Sequence, residues 1–277
     1  MAFDPSQFAQ VVFSGGGIRC FWHGGFLSEL GDIEAFAPQR ISGVSGGALS
    51  GAAWIGGVET DLRAVMDEAF RHTQSNIAAG KSNYTPHEEV YRAVVETALD
   101  ARAIERICDG PSFQIFLSAP PRWMPAKLMA ALMLVAYKAD QNVRSTPHLE
   151  WPRALGLQNL CVDARAAARQ GTLVDLIVAA ATIPPVFDVP VWEGRRVLDG
   201  GMHDKAPMPQ PDEGRTFVLM TSRYDNCPDV PGRTYVMPSE AVAADKIDFT
   251  QPDKVQQTWD QGVRDAKSWL ASGDTAD

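Results

Sequence analysis

The chain has 277 residues, enough for one domain or two and for a core that needs no covalent staples. Apolar residues make up 45% and charged residues 21%, which excludes wholesale disorder. Lysine and arginine number 25 against 34 aspartates and glutamates, a formal net charge of −9 with no basic block. Such a balance argues against a nucleic-acid partner, and it leaves no polybasic patch to hold the chain permanently on an anionic membrane.

Cys20, Cys108, Cys161 and Cys227 are scattered and form no Cys-x-x-Cys pair, so neither a disulfide framework nor a zinc site is expected. Met1-Ala2-Phe3-Asp4-Pro5 has neither a basic nor an apolar region of the kind that opens a signal peptide. No apolar run reaches the roughly 18 residues of a spanning helix. The expectation is a reducing, cytoplasmic setting.

In chain order, Gln10 to Ser14 reads as a short apolar strand ending in Gly15-Gly16-Gly17. A helix follows, with Phe21, Phe26, Leu27, Leu30 and Ile33 at three-to-four spacing. Arg40 to Val44 is a second strand, and Gly46 to Val58 is a small, apolar segment suited to a tightly packed interior helix. Two strands that each run into a helix predict a parallel sheet covered on both faces. From Glu59 to about Gly156 the pattern is mostly helical, read as an insertion in a single domain of residues 1–277 whose motif-bearing core spans about 8–210. Within it, ten apolar residues run from Leu128 to Tyr137 between Lys127 and Lys138, preceded by Trp123. That run reads either as core or as a lid making transient contact with lipid. The sheet resumes at Asn159 to Val162. Thr172 to Ala181 is a helix, and Asp188–Trp192 with Arg196–Leu198 a hairpin around Glu193-Gly194-Arg195. Arg215 to Thr221 is a further strand and Asp253 to Leu270 a closing helix.

Three glycine-bearing motifs carry the chemistry. Gly43-Val44-Ser45-Gly46-Gly47 fits Gly-x-Ser-x-Gly, in which the serine occupies a strained strand-to-helix turn and the glycines admit close backbone approach. The helix that follows turns its free N–H groups toward the serine, which favours oxyanion chemistry. Gly15-Gly16-Gly17-Ile18-Arg19 lies at another strand-to-helix junction and presents successive backbone N–H groups to an anion. It reads either as a phosphate or nucleotide loop or as an oxyanion hole beside Ser45. Gly-x-Gly-x-x-Gly fails at Cys20, and no Gly-Lys-Ser/Thr is present. Leu198-Asp199-Gly200-Gly201 is by itself an ordinary turn, but it offers Ser45 a carboxylate base. Of the five histidines only His203 follows Asp199, four residues on, which suits a Ser–His–Asp triad poorly. Bland readings remain for several residues: Arg19 as a surface residue at a helix start, His203 as surface or supporting, and Trp22, Trp54 and Trp192 as core or pocket walls.

Taken together, these motifs resemble the patatin-like phospholipase family, whose marks are Gly-Gly-Gly-x-Arg-Gly, Gly-x-Ser-x-Gly and a distant Asp-Gly-Gly/Ala. All three occur here in family order. His23, Gly25 and Leu27, and the stretch Ala180-Ala181-Thr182-Ile183-Pro184-Pro185-Val186-Phe187, are similar to the family as well. The similarity covers residues 10–60 and 172–210. Two places depart: Cys20 stands where the family usually has glycine, and Met202-His203-Asp204-Lys205-Ala206-Pro207 stands where many members carry asparagine before the proline.

The resemblance implies a three-layer α/β fold with a helical insertion. It implies Ser45 as nucleophile, Asp199 as its base, and an oxyanion site shaped by Gly15, Gly16, Gly17 and Arg19, with Gly43 and Gly47 forming the elbow and Gly200 and Gly201 completing the aspartate motif. The reaction implied is hydrolysis of acyl esters of phospholipid or lysophospholipid, with no metal or organic cofactor. The rivals are a catalytically silent regulatory or effector relative and a phosphate- or nucleotide-binding module.

Overall fold

The computed structural model describes residues 3–77, 87–122, 145–183 and 189–272, with isolated helical positions at 135 and 139. The run Leu128–Tyr137, apart from Val135, lies outside the described residues, as do Trp123 and residues 184–188. Strands β1 (Gln10–Phe13), β2 (Arg40–Val44), β3 (Ser112–Ala119), β4 (Gln158–Asp163), β8 (Thr216–Leu219) and β9 (Arg233–Val236) lie in the order β4-β3-β2-β1-β8-β9. Every neighbouring pair on this path is parallel except β3–β4. The two-residue strand β7 (Leu198–Asp199) adds to β3 in antiparallel register. A separate hairpin pairs β5 (Val191–Trp192) with β6 (Arg195–Arg196).

Burial explains the strand sequences. Strands β1, β2, β3 and β8 are almost wholly buried, as expected of strands covered on both faces. The antiparallel edge strand β4 is partly exposed along its length and carries Gln158, Asn159 and Asp163.

Helices cover the sheet. The first, α1 (Phe21–Leu30), packs along the 21-residue C-terminal helix (Pro252–Ser272), and α3 (Gly46–Gly56) is buried from end to end. Its composition, Gly-Gly-Ala-Leu-Ser-Gly-Ala-Ala, brings its axis close to the sheet beneath. Phe8, Phe13, Phe36 and Phe217 form an aromatic seam with Trp22, Trp54 and Trp269 on the same layer. Trp22 and Trp54 are therefore core, while Trp192 is half-buried in the β5–β6 hairpin.

The segment 59–156 differs from the expectation of a helical insertion. Helices α4 (Glu59–His72), α5 (His87–Ala98) and α6 (Ala101–Asp109) are present, but the eight-residue β3 follows them and sits between β2 and β4 within the main sheet. Ser-Phe-Gln-Ile-Phe-Leu-Ser-Ala alternates polar and apolar residues except at Phe116, a strand pattern that the mostly helical reading of this stretch passed over. The segment thus contributes a strand to the sheet that carries the site.

Ile115 on β3 is fully buried against this core. Ile115→Ala should destabilise the protein by about 2–5 kcal/mol, read as a lowered urea midpoint with an unchanged slope. A loss below about 0.5 kcal/mol, the range of ordinary surface substitutions, would contradict this position for β3.

Candidate active site

The register of β1 and β2 pairs Phe13 with Gly43, so both strands end at one edge and release their glycine loops side by side. Ser45 is the single residue between β2 and α3, with φ 56° and ψ −137°, a conformation that a side-chain-bearing residue rarely holds. The strain is maintained by close packing on either side. A Cβ on Gly47 would stand 2.3 Å from the Phe13 carbonyl oxygen, so the start of α3 can press against β1 only as glycine. Gly43 meets Ala48 and Gly47 in the same tight turn.

Ser45 Oγ donates a 2.6 Å hydrogen bond to Asp199 Oδ2, and both residues are buried, at 6% and 3% exposure. Asp199 is aimed from the other side by β7. Leu117 of β3 is its register partner, its own N–H donates to the Thr182 carbonyl at 2.8 Å, and its Oδ1 accepts the Gly201 N–H at 2.6 Å. Each carboxylate oxygen is therefore committed. Burial raises the Asp199 carboxyl above its ordinary value, opposed by the Lys205 cation and by the bonds from Ser45 and Gly201.

The glycine loop divides in two. The Gly15 N–H donates to the Lys205 carbonyl at 2.8 Å, and its own carbonyl accepts from Thr221 Oγ1, so Gly15 is not a free donor. Among the described residues the N–H groups of Gly16 and Gly17 have no partner, and both residues line the same cavity as Ser45 and Gly46. Gly17 has φ +60°, and a Cβ there would stand 2.1 Å from the Lys246 carbonyl oxygen. Arg19, expected to shape the oxyanion site, does not line the cavity. Its Nη1 donates to Ser222 Oγ at 3.4 Å, because the first turn after Gly17 carries the side chain away from Ser45. Gly200 packs against the Phe116 carbonyl behind Asp199, while Gly201 borders the cavity.

Cys20 has right-handed helical dihedrals, φ −65° and ψ −12°, so the backbone makes no demand for glycine at that position. Its thiol lies against the Ser14 carbonyl at 3.5 Å. Burial and the Asp199 charge hold it protonated, so it is not a competing nucleophile. No histidine lines the cavity. His23 is fully buried and pushed down to about 3 by burial, while burial and Arg153 push His203 down to about 4. His148 is engaged with Asp204 at 2.9 Å and with Tyr235 at 3.1 Å.

From Ser45 extends a cavity of about 380 Å³, predominantly apolar, with walls from Phe21, Leu49, Leu62, Met66, Tyr91 and Phe249. That volume lies within the range of small-molecule sites. The sequence had not singled out Tyr91, Lys205, Lys246 or Phe249. Tyr91 belongs to the buried stripe His87, Tyr91, Val94, Val95, Ala98 of α5, whose helical period marks a packed face without telling a core from a cavity wall. Lys246 and Phe249 sit in an irregular stretch before the last helix, where periodicity carries no signal. Lys205 had a signal: it falls in the departure noted after Asp199.

The site thus combines a mainly parallel α/β sheet, an elbow serine hydrogen-bonded to a buried carboxylate, and an apolar cavity beside them. The patatin-like phospholipase family model matches residues 11–212, and the chain belongs to that family, whose general activity is lipid acyl hydrolysis. Among solved structures, that of VipD from Legionella pneumophila is similar in fold, with a TM-score of 0.51 at 10% identity over 96% of this chain and 67% of that one. No curated protein sequence matches.

The carboxylate of Asp199 accepts a proton only when ionised. Since burial raises its value, kcat/KM should be lost as pH falls through an acid limb above the ordinary aspartate value. Lys205→Met removes a cation that favours the ionised form and should move that limb to higher pH. The pH profile of ester hydrolysis checks both; a limb that stays in place in the variant would contradict the electrostatic assignment.

Proposed function

We propose that the protein is a serine lipid acyl hydrolase that cleaves acyl esters of phospholipid or lysophospholipid through a Ser45–Asp199 dyad. The observation that carries this reading is the 2.6 Å hydrogen bond from Ser45 Oγ to a buried carboxylate beside an apolar cavity. In the reaction, Ser45 Oγ forms a bond to the ester carbonyl carbon as its proton passes to Asp199 Oδ2. The N–H groups of Gly16 and Gly17, with that of Gly46 at the first turn of α3, receive the oxyanion. Collapse breaks the carbon–oxygen bond to the alcohol, which leaves with the proton from Asp199. Water then attacks the acyl-enzyme, giving its proton to Asp199, and Ser45 departs and regains it as the fatty acid is released.

The apolar walls favour an acyl chain over a nucleotide, and the right-handed backbone at Cys20 removes the reason to read the loop as silenced. Among the described residues no helix is long and apolar enough to cross a membrane. Access to lipid then rests on peripheral contact, and the segment 128–137 read for it lies, apart from Val135, outside the described residues. The four cysteines are free, which suits a reducing, cytoplasmic setting.

A fluorophosphonate probe should label Ser45. Ser45→Ala and Asp199→Asn should each lower kcat/KM on a lysophospholipid by about 10³-fold or more, and the double variant should fall little further, because the pair acts as a unit. His203→Ala and His148→Ala should keep substantial activity. A folded histidine variant as inactive as Ser45→Ala would replace the dyad with a triad.

A further inference from the structure

Just after the base stands a second buried carboxylate that the reaction does not use. Asp204 is 6% exposed. Its Oδ1 accepts from His148 Nδ1 at 2.9 Å and from the Ala206 N–H at 3.0 Å, and its Oδ2 accepts from Arg153 Nη2 at 2.7 Å. With Nδ1 donating, the neutral His148 ring meets the Tyr235 hydroxyl of β9 through Nε2, at 3.1 Å. His148, the short helix Trp151–Ala154 and β9 thus converge on one side chain. None of Asp204, His148, Arg153 and Tyr235 lines the cavity beside Ser45. The cluster therefore reaches the reaction only through the backbone around Asp204.

That backbone joins the base to the oxyanion loop. The N–H groups of His203 and Asp204 donate to the Gly200 carbonyl at 2.9 and 3.1 Å, closing the turn that begins at Asp199. The next carbonyl, of Lys205, accepts the Gly15 N–H at 2.8 Å, while the Lys205 N–H donates at 3.0 Å to the carbonyl of Pro147, the neighbour of His148. The stretch is anchored upstream by the pairing of β7 with β3. Downstream it is anchored by Ser42 Oγ, which donates to the Pro207 carbonyl at 2.7 Å. Between these anchors the 3-10 turn Gly200–Met202 is the one piece of regular structure. Asp204 is the point of the span at which the turn of the base, the loop of donors and the outer elements are tied together.

We propose that Asp204, held by Arg153 and His148, is a positioning residue of the hydrolysis: it keeps the Gly16 and Gly17 donors in register with Ser45 and Asp199, and so acts on kcat and not on lipid binding. The proposal rests on the acyl-hydrolase reading. The oxyanion forms only as Ser45 Oγ bonds to the carbonyl carbon. Donors displaced together with Gly15 therefore lose stabilisation of the transition state, while the acyl chain still fills the cavity. A misplacement of about 1 Å lowers a rate by about 10²-fold. Arg153 and His148 share the carboxylate, so removing either leaves Asp204 the other partner and the Ala206 N–H. Removing Asp204 releases all three.

In the full chain, Asp204→Ala should lower kcat for a p-nitrophenyl ester about 10- to 100-fold across the whole pH plateau, with KM within about twofold. Asp204→Asn, which keeps an acceptor for the Ala206 N–H and for His148, should recover most of that loss. Arg153→Gln should lower kcat only about three- to fivefold, and should add nothing to Asp204→Ala in the double variant. Hydrogen exchange at Gly15, in protein made with isotopically labelled glycine, reads the position without turnover. The Gly15 N–H, protected by the Lys205 carbonyl, should exchange about tenfold faster in Asp204→Ala. The thermal transition checks that the variant is folded. Where Asp204→Ala does not fold, the split between kcat and KM in Arg153→Gln, whose side chain is 43% exposed, decides. An unchanged kcat in a folded Asp204→Ala overturns the proposal, and so does a loss carried by KM, which places the cluster at the substrate. A loss that appears only as a shifted acid limb with the plateau kept overturns it as well, since Asp204 then acts on Asp199 as a charge. If the native chain hydrolyses no ester and Ser45 takes no fluorophosphonate, the hydrolase reading fails. Exchange at Gly15 then decides the positioning alone: faster in Asp204→Ala, it stands; unchanged, it falls.

Discussion

A single short hydrogen bond joins two residues 154 positions apart, Ser45 Oγ to Asp199 Oδ2, and the fold can be understood as the set of constraints that keeps it short. The serine is held in a positive-φ turn that only a rigid surround maintains, and the surround is β1, β2 and the glycine-rich start of α3. The aspartate is held by β7, which exists as a strand only because β3 offers it pairing groups at Leu117 and Ser118. Since β3 pairs with both β2 and β7, Ser45 and Asp199 are held on one sheet through the same central strand. Loops alone would not hold side chains to the few tenths of an ångström on which a 2.6 Å contact depends.

The same constraint governs the electrostatics. Placing a carboxylate at 3% exposure disfavours its charge, and the structure counters with Lys205, the Ser45 hydroxyl and the Gly201 amide. A carboxylate raised in this way holds a proton more firmly than an exposed aspartate does. Burial also keeps the Cys20 thiol and the His23 ring neutral.

The legible part of this site was the part written in local backbone geometry. Gly43, Ser45 and Gly47 were readable because a strained turn under close packing tolerates few residues, and the distances from absent Cβ atoms to Phe13 and Ala48 give the reason. Gly16 and Gly17 were readable on the same grounds, but the division of labour among the glycines was not. That Gly15 spends its amide on Lys205 depends on a contact across 190 residues, which no local pattern encodes. Arg19 was misplaced for a related reason: one turn of 3-10 helix decides which way its side chain points. Strand β3 carries its alternation in Phe113, Ile115 and Leu117 against Ser112, Gln114 and Ser118, but it is short and follows three helices, and was read with them. The cavity walls on α4 and α5 follow the helical period of any packed face. A side chain that touches a substrate and one that touches a leucine are the same in sequence.

A division of roles between the two halves of the chain follows from these observations. Ser45, Asp199 and the Gly15-Gly16-Gly17 loop all lie within the stretch that matches the family. The segment from Ala244 to Thr250 supplies no reacting atom, yet it closes the cavity with Ile247 and Phe249 and fixes the loop through the Lys246 carbonyl. It is fastened to the helical side by Asn76, which donates to Asp248 and accepts from the Phe249 N–H, and by His87, which meets the Ile247 carbonyl at 2.7 Å. Chemistry confined to a rigid sheet edge can stay constant while such a segment changes in length and composition, because the dyad geometry depends on β2, β3 and β7 and the pocket on what is laid across them. The C-terminal stretch therefore shapes one wall of the cavity beside Ser45.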